Sequence, residues 1–237
     1  MANLGDLVSI VQDIVNGQLR AESSFDHANS ASMITATDII NYLNRGVRHV
    51  AAGIRMPEGN AVTQPLQGLF TTGTVTTGLD SYVALPDDYG RGVSLVLNSD
   101  GDDIKVVKNV ITLIKNHIND TSKVDSVSVK GLFIYYGSIP STPEVLTLHY
   151  YRKPNNMVGD TDEPDGIPEH LQDDLLCNYA ITESFRRMHN ISPKLMSLYA
   201  GLFSQAISDL EYYSHEVGAY DVEPENGNHN DLTDRIQ

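Results

Sequence analysis

The amino-acid sequence predicts an α+β protein, in which an antiparallel bundle of about four helices is interrupted by an inserted β-sandwich or barrel-like module. Residues 1–60 and 155–215 place apolar side chains at helical spacing, and residues 61–154 change to the alternating, β-branched pattern of strands. Neither helical segment can bury its apolar faces alone, so the two are expected to pack together across the insertion. Residues 216–237 form an acidic C-terminal tail.

The first helix carries an apolar stripe from Leu4 to Val15, with polar side chains between its members. Gly17 is expected to end this helix, because glycine is common at helix C-termini. The polar residues Gln18–Met33 are expected to form a loop with little order of its own.

The second helix is expected to begin at a cap formed by Thr35 or Thr37. Asp38 stands three residues after Thr35, the spacing of a capping box. Pro57 and Gly59 are expected to end the helix. Its inward stripe is Ile39, Ile40, Leu43, Val47, Val50, Ala51 and Ile54.

The insertion is expected to contain six or seven strands. Asn98–Asp102 has turn residues between the apolar runs Val93–Leu97 and Ile104–Val107, which predicts a hairpin. A second hairpin is predicted about Lys130 and Gly131. A short helix is predicted within residues 109–118 and would lie across the sheet.

The third helix begins after Gly166 and has an apolar stripe wider than a surface helix needs, so it is expected to pack on neighbours from two sides. The fourth helix is expected to be capped by Ser192 and to start at Pro193, since proline is tolerated in the first turn. The apolar face of the fourth helix is Leu195, Leu198, Tyr199, Leu202, Phe203, Ala206, Ile207, Leu210 and Tyr213.

Composition restricts the classes of function. The chain has 16 Lys and Arg against 31 Asp and Glu, a formal net charge of -15, which disfavours stable binding to nucleic acid. The same charge permits DNA to pass through an acidic pore without adhering to its wall. Cys177 is the single cysteine and is expected to be a buried, inert thiol.

The sequence also shows no pattern typical of a targeting signal. No apolar run reaches the ~18 residues of a membrane span, and the first residues lack a signal-peptide pattern. The chain is therefore expected to fold in a cytoplasm, with no membrane partner.

The search for catalytic chemistry yields no catalytic, cofactor-binding or metal-binding residue. The acidic segment Asp160–Gly166 fails the spacing of a calcium loop, so it is interpreted as a solvated acidic loop. The eight histidines include no pair at the helical spacing used for zinc. The stronger signal is a surface for other chains, in which the end of the fourth helix and the acidic tail form a docking arm. Its members are Leu210, Tyr212, Tyr213, Tyr220, Asp221, Glu223 and Glu225.

The order of elements and several short motifs resemble the head-to-tail connector, or adaptor, of tailed bacteriophages. The motifs run through residues 38–46, 85–89, 149–154 and 166–171, and the large insertion is similar to that of the longer adaptors of short-tailed phages. The resemblance implies a structural protein of the virion neck or tail, made in the host cytoplasm. It further implies a ring of twelve copies around the DNA passage, a C-terminal region docked on the portal protein, and an insertion that faces tail or nozzle proteins.

Two other classes of function stay open. One is a tail-associated peptidoglycan hydrolase, which any converging pair among the many acidic residues would permit. The other is a glycan-binding module on the insertion, although the chain has no Trp and would have to use Tyr and Phe for stacking.

Overall fold

A computed structural model describes residues 2–21, 34–52, 66–116, 123–188 and 193–218. These residues are mixed α and β and belong to two compact units. The helical unit lies within Met1–Gly68 and Pro154–Tyr220, and the β unit lies within Leu69–Lys153. The chain therefore leaves the helical unit after Gly68 and returns to it at Pro154.

Four helices build the helical unit. They are α1 (Leu4–Ala21), α2 (Ala36–Ala52), a central helix and α6 (Pro193–Gly218). The central helix is continuous and consists of α4 (Glu169–Gln172), a π-helical segment (Asp173–Cys177) and α5 (Asn178–Arg187). None of the helices in the described ranges has both the length and the apolar character that a membrane span requires.

Local chemistry explains where α1 and α2 begin. Asn3 Oδ1 accepts a hydrogen bond from the Asp6 N–H at 3.0 Å at the start of α1. At α2 the Asp38 N–H donates to the Thr35 hydroxyl at 3.1 Å, and the Thr35 N–H donates back to the Asp38 carboxylate at 3.2 Å. These reciprocal bonds are the predicted capping box, and they confirm Thr35 as the cap.

The prediction that Gly17 ends α1 is wrong, because the helix continues to Ala21. Gly17 does not have the positive φ that a C-terminal glycine cap uses. A glycine inside a helix costs only about 1 kcal/mol relative to alanine, which the packing of α1 outweighs. The predicted ends of other elements at Pro57, Gly59 and Ser192 lie outside the described residues.

The central helix is the hub of the helical unit. It contacts α1, α2 and α6, which confirms that its wide apolar stripe packs on neighbours from more than one side. Gly46 lets α2 approach closely, since a Cβ there would lie 3.0 Å from the Tyr179 ring. Core side chains with an exposure of 1% or less include Leu7, Val11, Ile39, Leu43, Val47, Leu175, Leu176, Ala180, Ile181 and Phe185.

The β unit consists of two sheets that share one core. A three-stranded sheet has the order β1-β7-β3, and a four-stranded sheet has the order β2-β6-β5-β4. A single buried cluster draws side chains from both sheets, and the sheets do not close into a barrel. The sandwich form of the prediction therefore describes the unit. The strands are β1 (Phe70–Thr76), β2 (Tyr82–Ala84), β3 (Tyr89–Leu97), β4 (Lys105–Val106), β5 (Ser126–Lys130), β6 (Phe133–Tyr136) and β7 (Val145–Arg152).

Of the two predicted hairpins, the second is confirmed, and the first forms only close to its turn. β5 and β6 pair antiparallel about Gly131, whose φ is 65°. The first turn also forms, with Asn98 Oδ1 accepting from the N–H groups of Asp100 and Asp102 at 2.9 and 2.8 Å. Beyond the turn, the arms pair through the bridge between Leu97 and Asp103 and through a hydrogen bond from the Ile104 N–H to the Val96 carbonyl at 2.8 Å. The chain then leaves β3, because Ile104 is buried in the shared core and β4 pairs parallel with β5 in the other sheet.

The short helix predicted across the sheet is also present. It is α3 (Val110–Asn116), and it contacts β5 and β6 of the four-stranded sheet.

The segment interpreted as a solvated acidic loop is a loop with Asp160 and Glu163 exposed, and its backbone also supports α1. The backbone carbonyls of Asp162 and Asp160 accept the N–H groups of Leu4 and Gly5 at 2.8 and 3.0 Å. Helix N-terminal N–H groups have no partner within their own helix, so these bonds satisfy two of them. The Asp162 carboxylate accepts from the N–H groups of Val158 and Gly159 at 2.7 and 2.9 Å.

The two backbone N–H donors hold the pKa of Asp162 below its ordinary value. A carboxylate with a depressed folded-state pKa contributes stability that is complete above its unfolded pKa, near 3.9, and is lost as pH falls through its folded pKa. We therefore expect Asp162→Asn to reduce the loss of folding stability between about pH 5 and pH 2. Denaturant unfolding measured across this pH range checks the expectation, and an identical pH dependence in both proteins would contradict it.

Candidate docking site on the C-terminal helix

The predicted docking residues lie in different surroundings near the end of α6. Leu210 faces the core with 2% of its surface exposed, whereas Tyr212 is 67% exposed. Tyr213 is half-buried, and its ring centroid lies 5.0 Å from that of His170 on the central helix. The structure thus separates an inner side of α6, with Leu210 and Tyr213, from an outer side with Tyr212. The other predicted members, Tyr220, Asp221, Glu223 and Glu225, lie outside the described residues.

Aromatic contacts determine which side of α6 faces inward. The Tyr199 ring lies 5.6 Å from Phe185, and the Phe203 ring lies 5.3 Å from Tyr179, both measured between centroids. Aromatic pairs at such distances contribute about 0.5–1.5 kcal/mol beyond the area they bury. These contacts fix the rotational orientation of α6 about its own axis. The side of α6 that faces away from the central helix stays accessible.

An exposed side of α6 carries a row that we call the outer stripe, defined by Leu198, Leu202, Gln205, Asp209 and Tyr212. Successive members are four, three, four and three residues apart, a spacing that keeps them on one side of a helix. Leu198 and Leu202 are 56% and 43% exposed. Gln205 Nε2 donates to Asp209 Oδ1 at 3.0 Å in the middle of the stripe. The stripe has the apolar and polar composition of a contact surface for another protein.

Leu198 and Leu202 belong to the predicted apolar face of the fourth helix, but the structure leaves both of them exposed. The apolar residues of α6 cover more than half of its circumference, and the central helix covers only part of that surface. The sequence does contain a signal for the correct side, because Gln205 and Asp209 continue the spacing of Leu198 and Leu202. Polar members of an otherwise apolar row indicate that the row faces solvent.

A second exposed surface lies on the β unit. Tyr82 on β2 contacts Phe133 and Tyr135 on β6, with ring centroids 5.5 and 5.7 Å apart. Leu132, next to the turn between β5 and β6, is also exposed. We call this group, Tyr82, Leu132, Phe133 and Tyr135, the β-unit aromatic patch.

Ion pairs connect α2 with the central helix. Arg187 donates to the Asp38 carboxylate, and Arg45 lies 3.3 Å from Glu183, which also accepts from Arg186. The Thr35 hydroxyl and then the Arg187 guanidinium hold the pKa of Asp38 below its ordinary value. Exposed pairs of this kind contribute about 0–1 kcal/mol each. They also occupy three arginines within the chain, which leaves these cations poorly placed to bind phosphate.

The prediction that Cys177 is buried is confirmed. Cys177 is buried, and burial raises the pKa of its thiol to about 12, so it is protonated at neutral pH. His170 contacts the Tyr213 ring at the start of the central helix. Within the described ranges, no group of three or more His, Cys, Asp or Glu side chains is arranged to hold a metal ion.

Comparison with known proteins gives one family. The model of the family described as SU10 adaptor protein matches residues 2–223, which include both units. No curated protein matches the chain.

Proposed function

Because the chain belongs to the SU10 adaptor protein family of phage head-to-tail adaptors, we propose that it forms a ring that joins the portal to the tail. Membership of this family indicates a structural protein of the virion neck, in contact with other head and tail proteins. The match to residues 2–223 is the observation that carries the proposal, because it includes the four helices and the β unit together.

The ring is proposed to surround the passage of the double-stranded genome. The formal net charge of -15 supports this, since an acidic wall repels a moving duplex and keeps it from binding. Twelve copies are proposed, as the resemblance of the sequence implies. Neighbouring copies related by rotation would meet through two different patches, one from each copy.

The portal is proposed to bind the outer stripe of α6 together with the C-terminal tail. Tyr212 is the exposed aromatic member, and Tyr220, Asp221, Glu223 and Glu225 follow it along the chain. Leu210 and Tyr213 are proposed to support this surface by fixing the end of α6 on the bundle. The β unit, with its aromatic patch, is proposed to face tail or nozzle proteins.

Binding of purified chain to assembled portal tests the docking surface. We expect Tyr212→Ala to weaken binding about tenfold or more, because exposed aromatic residues are frequent binding hot spots. A chain that ends at Gly218 is expected to fold normally and to bind the portal more weakly. Tyr82→Ala is the matched control, since it removes an exposed tyrosine from the β unit and should leave portal binding unchanged. Equal affinities for Tyr212→Ala and Tyr82→Ala would contradict the assignment of the surface.

The free chain is proposed to be largely monomeric and to close into a ring on the portal. A stable interface between two copies needs about 1,000 Å² or more of buried surface, and the portal would hold neighbouring copies in register until such contacts form. Light scattering of the purified chain without portal measures this directly, and a dodecamer in that sample would contradict closure on the portal.

A further inference from the structure

The four edges of the two sheets differ in how well they are protected. Exposed edges are usually shortened, bulged or charged, which prevents unwanted pairing with other chains. β2 has three residues and β4 has two, one of them Lys105. β3 carries three register shifts, Arg91, and Gly92 at a φ of 57°. β1 has seven residues with neither a charge nor a proline, so it alone of the four described edges lacks these protections.

The hydrogen-bonding direction of β1 can be derived from its pairing. The Thr77 N–H donates to the Glu144 carbonyl at 2.8 Å, toward β7. Backbone groups alternate in direction along a strand, so those of Thr71, Gly73 and Val75 also point to β7. The N–H and C=O groups of the alternate residues point to the open side, where no other strand of the described residues pairs with β1. These residues are Phe70, Thr72, Thr74 and Thr76, and their side chains are exposed.

We propose that β1, which lies in the β unit, accepts an extended strand from a tail protein that the adaptor joins to the portal. This inference rests on the proposed function. Addition of a strand would satisfy the open backbone groups of Phe70, Thr72, Thr74 and Thr76 and extend the sheet to a fourth strand. A segment of about five or more extended residues with β-branched or aromatic side chains beside Phe70 and the threonines fits this edge.

A second copy of this chain fits the edge less well. Its β2 and β4 are too short to cover seven residues, and its β3 is bulged. Its own β1 could pair only in a two-fold arrangement, whereas neighbours in a cyclic ring are related by the ring axis and meet through different patches. A strand from a different protein avoids both obstacles.

Phage that carries Thr74→Pro in this chain tests the proposal. The backbone N–H of Thr74 points to the open side, and proline at this position removes it. The hydrogen bonds between β1 and β7 stay in place. We expect genome-filled heads to keep the adaptor and to lose the protein bound to β1 about tenfold or more, as measured by particle composition. Thr74→Val is the matched control, because it keeps the N–H at the same exposed position and should behave as the unmodified phage.

A second variant and a folding measurement distinguish loss of binding at β1 from misfolding of the adaptor. Thr72→Lys adds a charge to the open edge without altering the backbone and is expected to cause the same loss. Both purified variants are expected to unfold cooperatively. Thr72→Lys is expected to lose at most about 1 kcal/mol, because it removes the hydrogen bond between the Thr72 hydroxyl and His149 Nδ1 at 3.2 Å. Normal particle composition in Thr74→Pro and Thr72→Lys phage would overturn the proposal.

A high-resolution image of the virion neck identifies the occupant. A strand of another protein about 4.8 Å from β1 supports the proposal. A strand from a second copy, residues 219–237 of this chain, or solvent at that edge overturns it. If the image shows the adaptor in the neck with nothing paired to β1, only the strand proposal is contradicted. If the image shows no adaptor in the neck, the proposed function is contradicted as well.

Discussion

Phe185→Ala is expected to lower the free energy of unfolding of the helical unit by about 4 kcal/mol. Phe185 has no exposed surface, and its ring contacts Tyr199 of α6 at a centroid distance of 5.6 Å. Alanine would remove the apolar contacts and leave a cavity where the central helix meets α6. Denaturant unfolding followed by circular dichroism measures the change.

Leu198→Ala is the control for Phe185→Ala. It removes a large apolar side chain from α6 at a position that is 56% exposed, so its effect is expected to stay within about 0.5 kcal/mol. Losses of similar size in the two variants would show that the inner and outer sides of α6 are assigned incorrectly. The proposed portal surface would then lose its structural basis.

Asn44→Leu is expected to destabilise the helical unit by about 3 kcal/mol, because it leaves two buried backbone groups without partners. Asn44 Nδ2 donates to the Met157 carbonyl at 2.9 Å, and Asn44 Oδ1 accepts from the Met157 N–H at 2.8 Å. Asn44 and Met157 are both buried, so water cannot replace these bonds. Denaturant unfolding measures the loss of stability, and hydrogen exchange at the Met157 amide reports the broken bond.

Asn41→Leu provides the matched control. The same substitution is made in the same helix, at an exposed position, and is expected to change stability by less than about 0.5 kcal/mol. If Asn44→Leu proved as mild as Asn41→Leu, the paired bonds to Met157 would not hold the segment that supports α1.

Features set by neighbouring residues were predictable from the sequence. The capping box joins Thr35 to Asp38, three residues further on, and the turn at Gly131 needs only a positive φ between two runs with strand-like composition. The turn at Asn98–Asp102 formed for the same local reason, but its strands pair only as far as Ile104, because the chain then enters the other sheet as β4.

In the candidate docking surface, too, the local features were predictable and the packing was not. Helical periodicity correctly indicated a long, apolar fourth helix, and the exposed Tyr212 was among the predicted residues. Apart from the polar Gln205 and Asp209 in the row of Leu198 and Leu202, periodicity did not show which apolar residues of α6 the central helix covers. That choice depends on contacts between residues far apart in the chain.

Residue order alone was sufficient to identify an α+β adaptor, because caps, turns and periodicity act over a few residues and the family motifs follow one another along the chain. Three-dimensional packing was needed to reveal three further features: the support of α1 by the Asp160 and Asp162 carbonyls, the division of strands between two sheets, and the unprotected edge of β1. Each is a pairing between distant segments, and the hydrophobic pattern of a strand or helix specifies that a face is buried without specifying its partner.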